Sequence, residues 1–424
     1  MFNRRQFLTR TLQGSSLLAL GSVVPQFVAN TARAAAAGKD TVLVVVEMSG
    51  GNDGLNTVVP HEDALYHKYR PTLRYTTQQL VAVDDHIGLN PGMRSLQPMI
   101  QAKQLAVVQG VGYPNPDRSH FESMDIWQTG DPKRKVGTGW LGRTVGDLQG
   151  RGGAIPALHV GRGRLPVAFK GAPGGAISIN NASSYRLDLG GGSAEQVKSR
   201  RQLIDELSRP ASAAKDDSLL NFVQRRQVQT LTTLERLQEV LDKSRVNNNL
   251  FRMDGQGFRQ YESSSLPVKL QLVAQLIAKG FGTRIFYVML DGFDTHSAQL
   301  DPHRRLLAEL ADGITQFFNT LKQTKDDQRV RVLTFSEFGR RVQENGSKGT
   351  DHGAGSCLFV AGPSVKGGVV GAHPSLKDLD SGDLKHHTDF RSVYATLLDT
   401  WLGCDSAAVL GGKFPHIEAL KGKA

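Results

Sequence analysis

The chain has 424 residues, 39% hydrophobic and 21% charged, a make-up that excludes a disordered or fibrous protein and supports a sizeable core. Lys and Arg total 51 against 40 acids, and residues 1–34 hold four of those arginines and no acid. The surplus suits an anionic substrate or a negatively charged envelope surface, while the lack of any Lys/Arg block or basic–aromatic pattern excludes nucleic acid as the expected partner.

The first residues read as an address. Asn3-Arg4-Arg5-Gln6-Phe7-Leu8 resembles a twin-arginine export signal. A mildly apolar stretch follows over residues 12–28, broken by Gly14, Gly21 and Pro25, and then Ala32-Arg33-Ala34, a small-x-small cleavage pattern. The stretch is too short and too interrupted for a stable transmembrane helix. Residues 1–34 are therefore expected to be a signal peptide read by the twin-arginine export machinery, and the protein to be periplasmic or otherwise exported.

Residues 41–48 (TVLVVVEM) form a continuous β-branched run, the pattern of a strand buried on both faces of a parallel sheet. The loop Ser49-Gly50-Gly51-Asn52-Asp53-Gly54 follows at once; it is not a dinucleotide fingerprint. Residues 105–109 (LAVVQ) predict a second buried strand. Residues 150–192 are Gly-rich, with strand-like pieces such as 157–160. Leu220, Val223, Leu231, Leu234, Leu237 and Leu241 then recur at helical spacing, which predicts a helical insertion over 193–265.

Alternation returns after the insertion. Helices are expected from Ser265-Leu266-Pro267 to about Lys279, from Asp301-Pro302 onward, and from Asp389 to Leu402. Strands are expected over 284–290, 330–335 and 356–361. Strand–helix alternation of this kind argues a single α/β domain over 40–424, with a mostly parallel central sheet and helices on both faces. Cys357, in the last strand, and Cys404, past the last helix, are the only cysteines. They exclude a zinc knuckle, and export would permit a disulfide between them.

In open α/β sheets ligands bind beyond the carboxyl ends of the strands. The residues that follow the predicted strands here are rich in metal-ligand types: Glu47, Asn52 and Asp53; the loop from Asp117 to Glu122; Asp291, Asp294 and His296; Ser336 and Glu337, then Asp351-His352-Gly353; and finally His373, His386 and His387. Carboxylates gathered in one crevice repel each other unless cations neutralise them. Carboxylates with neutral imidazoles suit zinc, manganese or similar ions. Two such ions about 4 Å apart clamp a tetrahedral oxyanion, and a hydroxyl on one of them becomes a nucleophile.

Asp351-His352-Gly353 resembles the Asp-His pair of the alkaline phosphatase superfamily, which includes phosphatases and sulfatases. More closely, the chain is similar to the bacterial domain of unknown function 1501 family, often exported with a twin-arginine signal. The matching stretches are Gly50 to Thr57, Ser119-His120-Phe121, Asp291 to His296, Ser336 to Arg340 and Gly349 to Gly353. The resemblance implies an alkaline-phosphatase-like fold and two divalent metals. It puts the first acidic ligand at Asp53, with Glu47 second, and the nucleophile at Ser119. Further metal ligands fall at Asp291, Asp294, His296, Asp351 and His352, and the last histidine at His373, His386 or, by choice, His387. Glu337 is expected as a ligand or base, and Arg340 as an anion contact through its fork. The implied activity is hydrolysis or transfer of a phosphate or sulfate ester, small or part of an envelope polymer. The alternative is an exported binding or assembly protein that keeps the fold without the reaction.

Overall fold

A computed structural model describes residues 41–148, 157–161, 164–172, 176–179, 251–254, 257–260 and 264–421, with a few isolated positions between. The expected signal peptide and most of the expected helical insertion lie outside the described residues. Within the expected insertion, Phe251–Asp254 and Gly257–Gln260 pair antiparallel as a hairpin rather than a helix.

Among the described residues, nine strands make the central sheet. They are β1 (Val42–Ser49), β2 (Leu105–Gly112), β3 (Ala157–Val160), β4 (Ile177–Ile179), β5 (Ile285–Asp291), β6 (Val330–Phe335), β7 (Ser356–Ala361), β8 (Gly368–Val370) and β9 (Thr388–Asp389). Their spatial order is β8-β2-β7-β6-β1-β5-β3-β4, with β9 also on β2. All neighbours run parallel except β7, which is antiparallel to both β6 and β2. The mostly parallel α/β sheet read from the sequence is thus present, with one reversed strand. The reversal matters for function: the segment before β7, not the one after it, reaches the rim where the parallel strands end.

β1 is central, and its alternate residues serve two cores. Val42, Val44, Val46 and Met48 enter one apolar cluster, Leu43 and Val45 the other. The first is closed by two helices, α3 (Leu266–Ala278) and α4 (Leu300–Gln323), through residues such as Leu270, Val273, Leu310 and Phe317. The opposite face carries α1 (His120–Thr129), α2 (Trp140–Leu148) and α5 (Phe390–Leu397). Trp140 stacks on Tyr394 at 4.2 Å and Trp127 on Phe390 at 4.4 Å, which locks these three helices together. Cys357 belongs to the first core and Cys404 to the second, so the sheet lies between them. Among the described residues, no helix is long and apolar enough to cross a membrane.

Trp140 is fully buried, so Trp140→Ala is expected to lower unfolding free energy by about 3–5 kcal/mol, measured by denaturant titration.

Candidate metal centre

The rim loops are held in place by one buried side chain. Arg340 follows β6 and is 1% exposed. Its Nε donates to Gly51 O at 2.6 Å, its Nη1 to Thr350 O at 2.8 Å, and its Nη2 to Gly50 O at 2.5 Å and Phe293 O at 3.1 Å. Nη2 also reaches Asp294 Oδ1 at 2.7 Å. The fork is therefore used up within the protein. This corrects its expected role as a substrate anion contact: carbonyls from three loops occupy the donors a substrate would need.

Gly50, between β1 and the rim, must be glycine. Its φ is +116°, and an added Cβ would lie 2.5 Å from Asp294 N. Its own N–H donates to Glu337 Oε1 at 2.9 Å.

Around Asp294 Oδ1 three imidazoles converge. His296 Nε2 lies 3.0 Å away, His352 Nε2 3.3 Å and His120 Nε2 3.4 Å. Each ring has its other nitrogen committed to an acceptor. His120 Nδ1 donates to Glu337 Oε1 at 2.8 Å, His352 Nδ1 to Arg118 O at 2.8 Å, and His296 Nδ1 to Asp351 Oδ1 at 3.2 Å. These partners accept only, which assigns the Nδ1–H tautomer to all three rings. Three Nε2 lone pairs and a carboxylate therefore face one another. His296 Nε2 and His352 Nε2 are 3.0 Å apart with no proton assigned between them. His120 Nε2 is buried and has no hydrogen-bond partner. A divalent cation satisfies such a set, and His120, Asp294 and His352 offer ligand atoms within 4.8 Å of one another.

Neighbouring groups shift the titration of this centre. Burial pushes the Asp294 carboxyl up, but the Arg340 hydrogen bond and charge outweigh it and hold it at about 2. The hydrogen bond to Glu337 raises His120. Asn345, with His296, lowers Asp351.

Asp294, His296, Asp351 and His352 are thus brought together as a group. Glu337, 1% exposed, stands behind His120 as its orienting carboxylate. Ser119 is exposed at the N-cap of α1, one residue from His120, and its hydroxyl makes no cap hydrogen bond. Other expected positions lie outside the group. Asp53 is buried in a two-pronged ion pair with Arg70, at 2.5 and 3.0 Å, and accepts from Gln299 at 2.5 Å. Burial raises its pKa, but the charge of Arg70 brings it below the ordinary value. Asp53 is already neutralised without a metal, which corrects its expected ligand role. Glu47 is buried against Tyr287 and Gln128, and burial pushes it up to about 7. Asp291 ends β5 exposed and apart from the three-ligand group.

The late histidines are also displaced. His387 Nε2 bonds Ala372 O at 2.8 Å and its ring lies over Gly110. His373 bonds Pro374 O at 2.8 Å, and His386 lines a small pocket with Trp127 and Phe338. All three lie near the carboxyl ends of the parallel strands β8 and β2, outside the three-ligand group. The residue that sequence reasoning passed over is His120. Its signal was position: it stands next to Ser119 in the loop after a buried strand.

Replacing Gly50 with Ala is expected to cost more than about 2 kcal/mol, because the left-handed backbone and the Asp294 clash act together. Arg70→Met leaves Asp53 buried and unpaired, and a loss of about 3–5 kcal/mol is expected in denaturant unfolding. His303 supplies a pH test. It is buried against Asn52 Oδ1 at 2.9 Å, and burial pushes it down to about 4 from 6.5. The folded state then binds fewer protons than the unfolded one between those values, so stability rises with pH across that window. His303→Gln should flatten that rise when denaturation midpoints are compared from pH 4 to 6.5.

Comparison with known proteins places the chain. A family profile described as "Protein of unknown function (DUF1501)" matches residues 40–412. No curated protein matches. Among solved structures, the fold is similar to the PsFucS1 sulfatase from Pseudoalteromonas sp., with 11% identity, a TM-score of 0.37, and coverage of 93% of this chain and 75% of that one. It is similar to the lipoteichoic acid synthase LtaP from Listeria monocytogenes, with 8% identity, a TM-score of 0.34, and coverage of 91% and 75%. Alkaline phosphatase from the Antarctic bacterium TAB5 gives 11% identity, a TM-score of 0.27, and coverage of 77% and 93%. With the family profile spanning the sheet and every rim loop described above, the chain belongs to the DUF1501 family.

Proposed function

We propose that this protein is a metal-dependent hydrolase or transferase acting on a phosphate or sulfate ester, with Ser119 as nucleophile. The observation that carries the reading is the meeting of three imidazole lone pairs with Asp294 Oδ1, all within 3.4 Å. A bound divalent ion would neutralise the developing oxyanion and ease loss of a proton from a nearby hydroxyl. His120, Asp294 and His352 would hold it. Glu337 keeps the His120 ring turned so that Nε2 faces inward. Asp351 does the same for His296, whose Nε2 is then placed to accept a proton. Ser119, at the amino end of a ten-residue helix, sits where backbone N–H groups and the helix dipole favour an anionic group.

One observation favours the alternative of a non-catalytic binding protein. Arg70 occupies Asp53, and among the described residues one three-ligand group is found. His296 and Asp351 add two ligands beside it, so the expected second ion would rest on a thinner set.

Elemental analysis of the purified protein, paired with turnover on aryl phosphate and aryl sulfate esters, separates the readings. His120→Ala is expected to lose metal and activity together. Ser119→Ala should keep its metal and lose turnover by at least about a hundredfold. Glu337→Gln should weaken metal affinity by about 10–100-fold. Metal-free wild-type protein with unaltered turnover would overturn the proposal; stoichiometric metal without turnover would support the binding protein.

A further inference from the structure

Exposed apolar side chains on this protein are few and they cluster. Among the described residues the large ones are Phe121, 85% exposed, and Val136, Leu165 and Val167, each 36–37% exposed. All belong to α1, the loop between α1 and α2, or the segment after β3. Parallel strands β1, β3 and β5 end at the same rim, so the segment after β3 lies on the side of the metal centre.

Backbone contacts hold these pieces side by side. Asp131 accepts hydrogen bonds from the N–H groups of Lys133, Lys135 and Val136 and so shapes the loop into a fixed projection. Arg134 turns back and pairs with Glu122 on the first turn of α1, one residue from Phe121. Gly139 N–H donates to Lys170 O, and a Cβ there would collide with the carbonyls of Val167 and Ala168. Ala168 N–H in turn donates to Gln128 of α1. These linked segments carry the apolar tips together with the exposed cations Lys133, Lys135, Arg164 and Lys170, and Phe121 follows His120 directly in the chain.

We infer that this strip is a docking surface for an anionic lipid bilayer. Aromatic and aliphatic tips flanked by Lys and Arg are the composition that lies in the headgroup region of a membrane. The aliphatic members decide the partner. A soluble polyanion would use the cations and Phe121, but it offers nothing to Val136, Leu165 and Val167. Outside residues 1–34 the chain still holds 47 Lys and Arg against 40 acids, a surplus of seven that adds long-range attraction to such a surface. Docked this way, the protein holds its metal centre against the headgroup layer. The inference stands on the surface alone and does not require that the centre be catalytic.

The test is flotation of the whole chain with vesicles of phosphatidylglycerol and phosphatidylcholine, against vesicles of phosphatidylcholine alone. Binding is expected on the anionic vesicles, falling steeply between 0.05 and 0.5 M salt, on the order expected from a Debye length shrinking toward 3 Å. Lys133→Glu with Lys135→Glu, and separately Phe121→Ser with Val136→Ser, should each weaken binding by at least about tenfold, since each charge or apolar tip near the surface contributes a comparable share. Every variant is compared in the same chain, so whatever residues 1–34 contribute is common to all. Lys133→Gln with Lys135→Gln serves where the charge reversal unfolds the protein. Equal flotation of wild type and variants, or none on anionic vesicles, overturns the inference. Tight binding to dextran sulfate through the same lysines without flotation also overturns it, in favour of a polymer. Turnover enters none of these readings, so failure here is separate from failure of the catalytic proposal.

Discussion

The architecture of the rim depends on a single cation that never meets solvent. Arg340 gathers the carbonyls of Gly50, Gly51, Phe293 and Thr350, which belong to the loops after β1 and β5 and to the loop before β7. A buried carbonyl left without a donor costs about 1–3 kcal/mol. A guanidinium is suited to the task because its five N–H groups lie in one rigid plane and it stays charged when dehydrated. The same fork holds Asp294 ionised. One residue therefore sets both where the loops lie and what charge the centre presents.

Asp294 can then act as a hub because its negative charge is already half compensated. Three histidines approach its Oδ1, each steered from behind by a different acceptor: a carboxylate, a backbone carbonyl and a second carboxylate. Orientation from behind of this kind is typical of metal-ligating imidazoles. The division of labour explains why Glu337 and Asp351 lie one step back. Buried Glu337 is satisfied by Gly50 N–H and His120, and its burial is tolerable for that reason. Asp53, whose motif stands out most in the chain, was drawn instead into a structural pair with Arg70 that ties the first rim loop to the loop after β6. Carboxylates of one chemical type thus divide between the imidazole cluster and scaffolding according to which cation reaches them first.

Continuous β-branched runs determined the buried strands, because only a strand covered on both faces tolerates such runs. Gly and Pro punctuation placed the helix ends at Leu266 and Ala278 and at Leu300 within a residue or two of their positions. The Asp294-to-His296 and Asp351-His352 segments were legible as site candidates because polar metal-ligand types directly after or before a core strand have little packing use.

The direction of β7, by contrast, is not written in its residues: SCLFVA reads alike in either sense, and only its pairing with β6 and β2 decides which flank reaches the rim. That choice brought Asp351 and His352 to the rim. The Arg70–Asp53 and Arg340–carbonyl contacts span 10 to 290 residues of chain, and no local pattern encodes them. His120 was marked in the sequence only by its place after a buried strand, and its Nε2, buried without a partner, is seen only in the fold. Residue type and periodicity thus determined the sheet and the candidates. Long-range pairing, settled by which charges could be buried together, decided which of them meet.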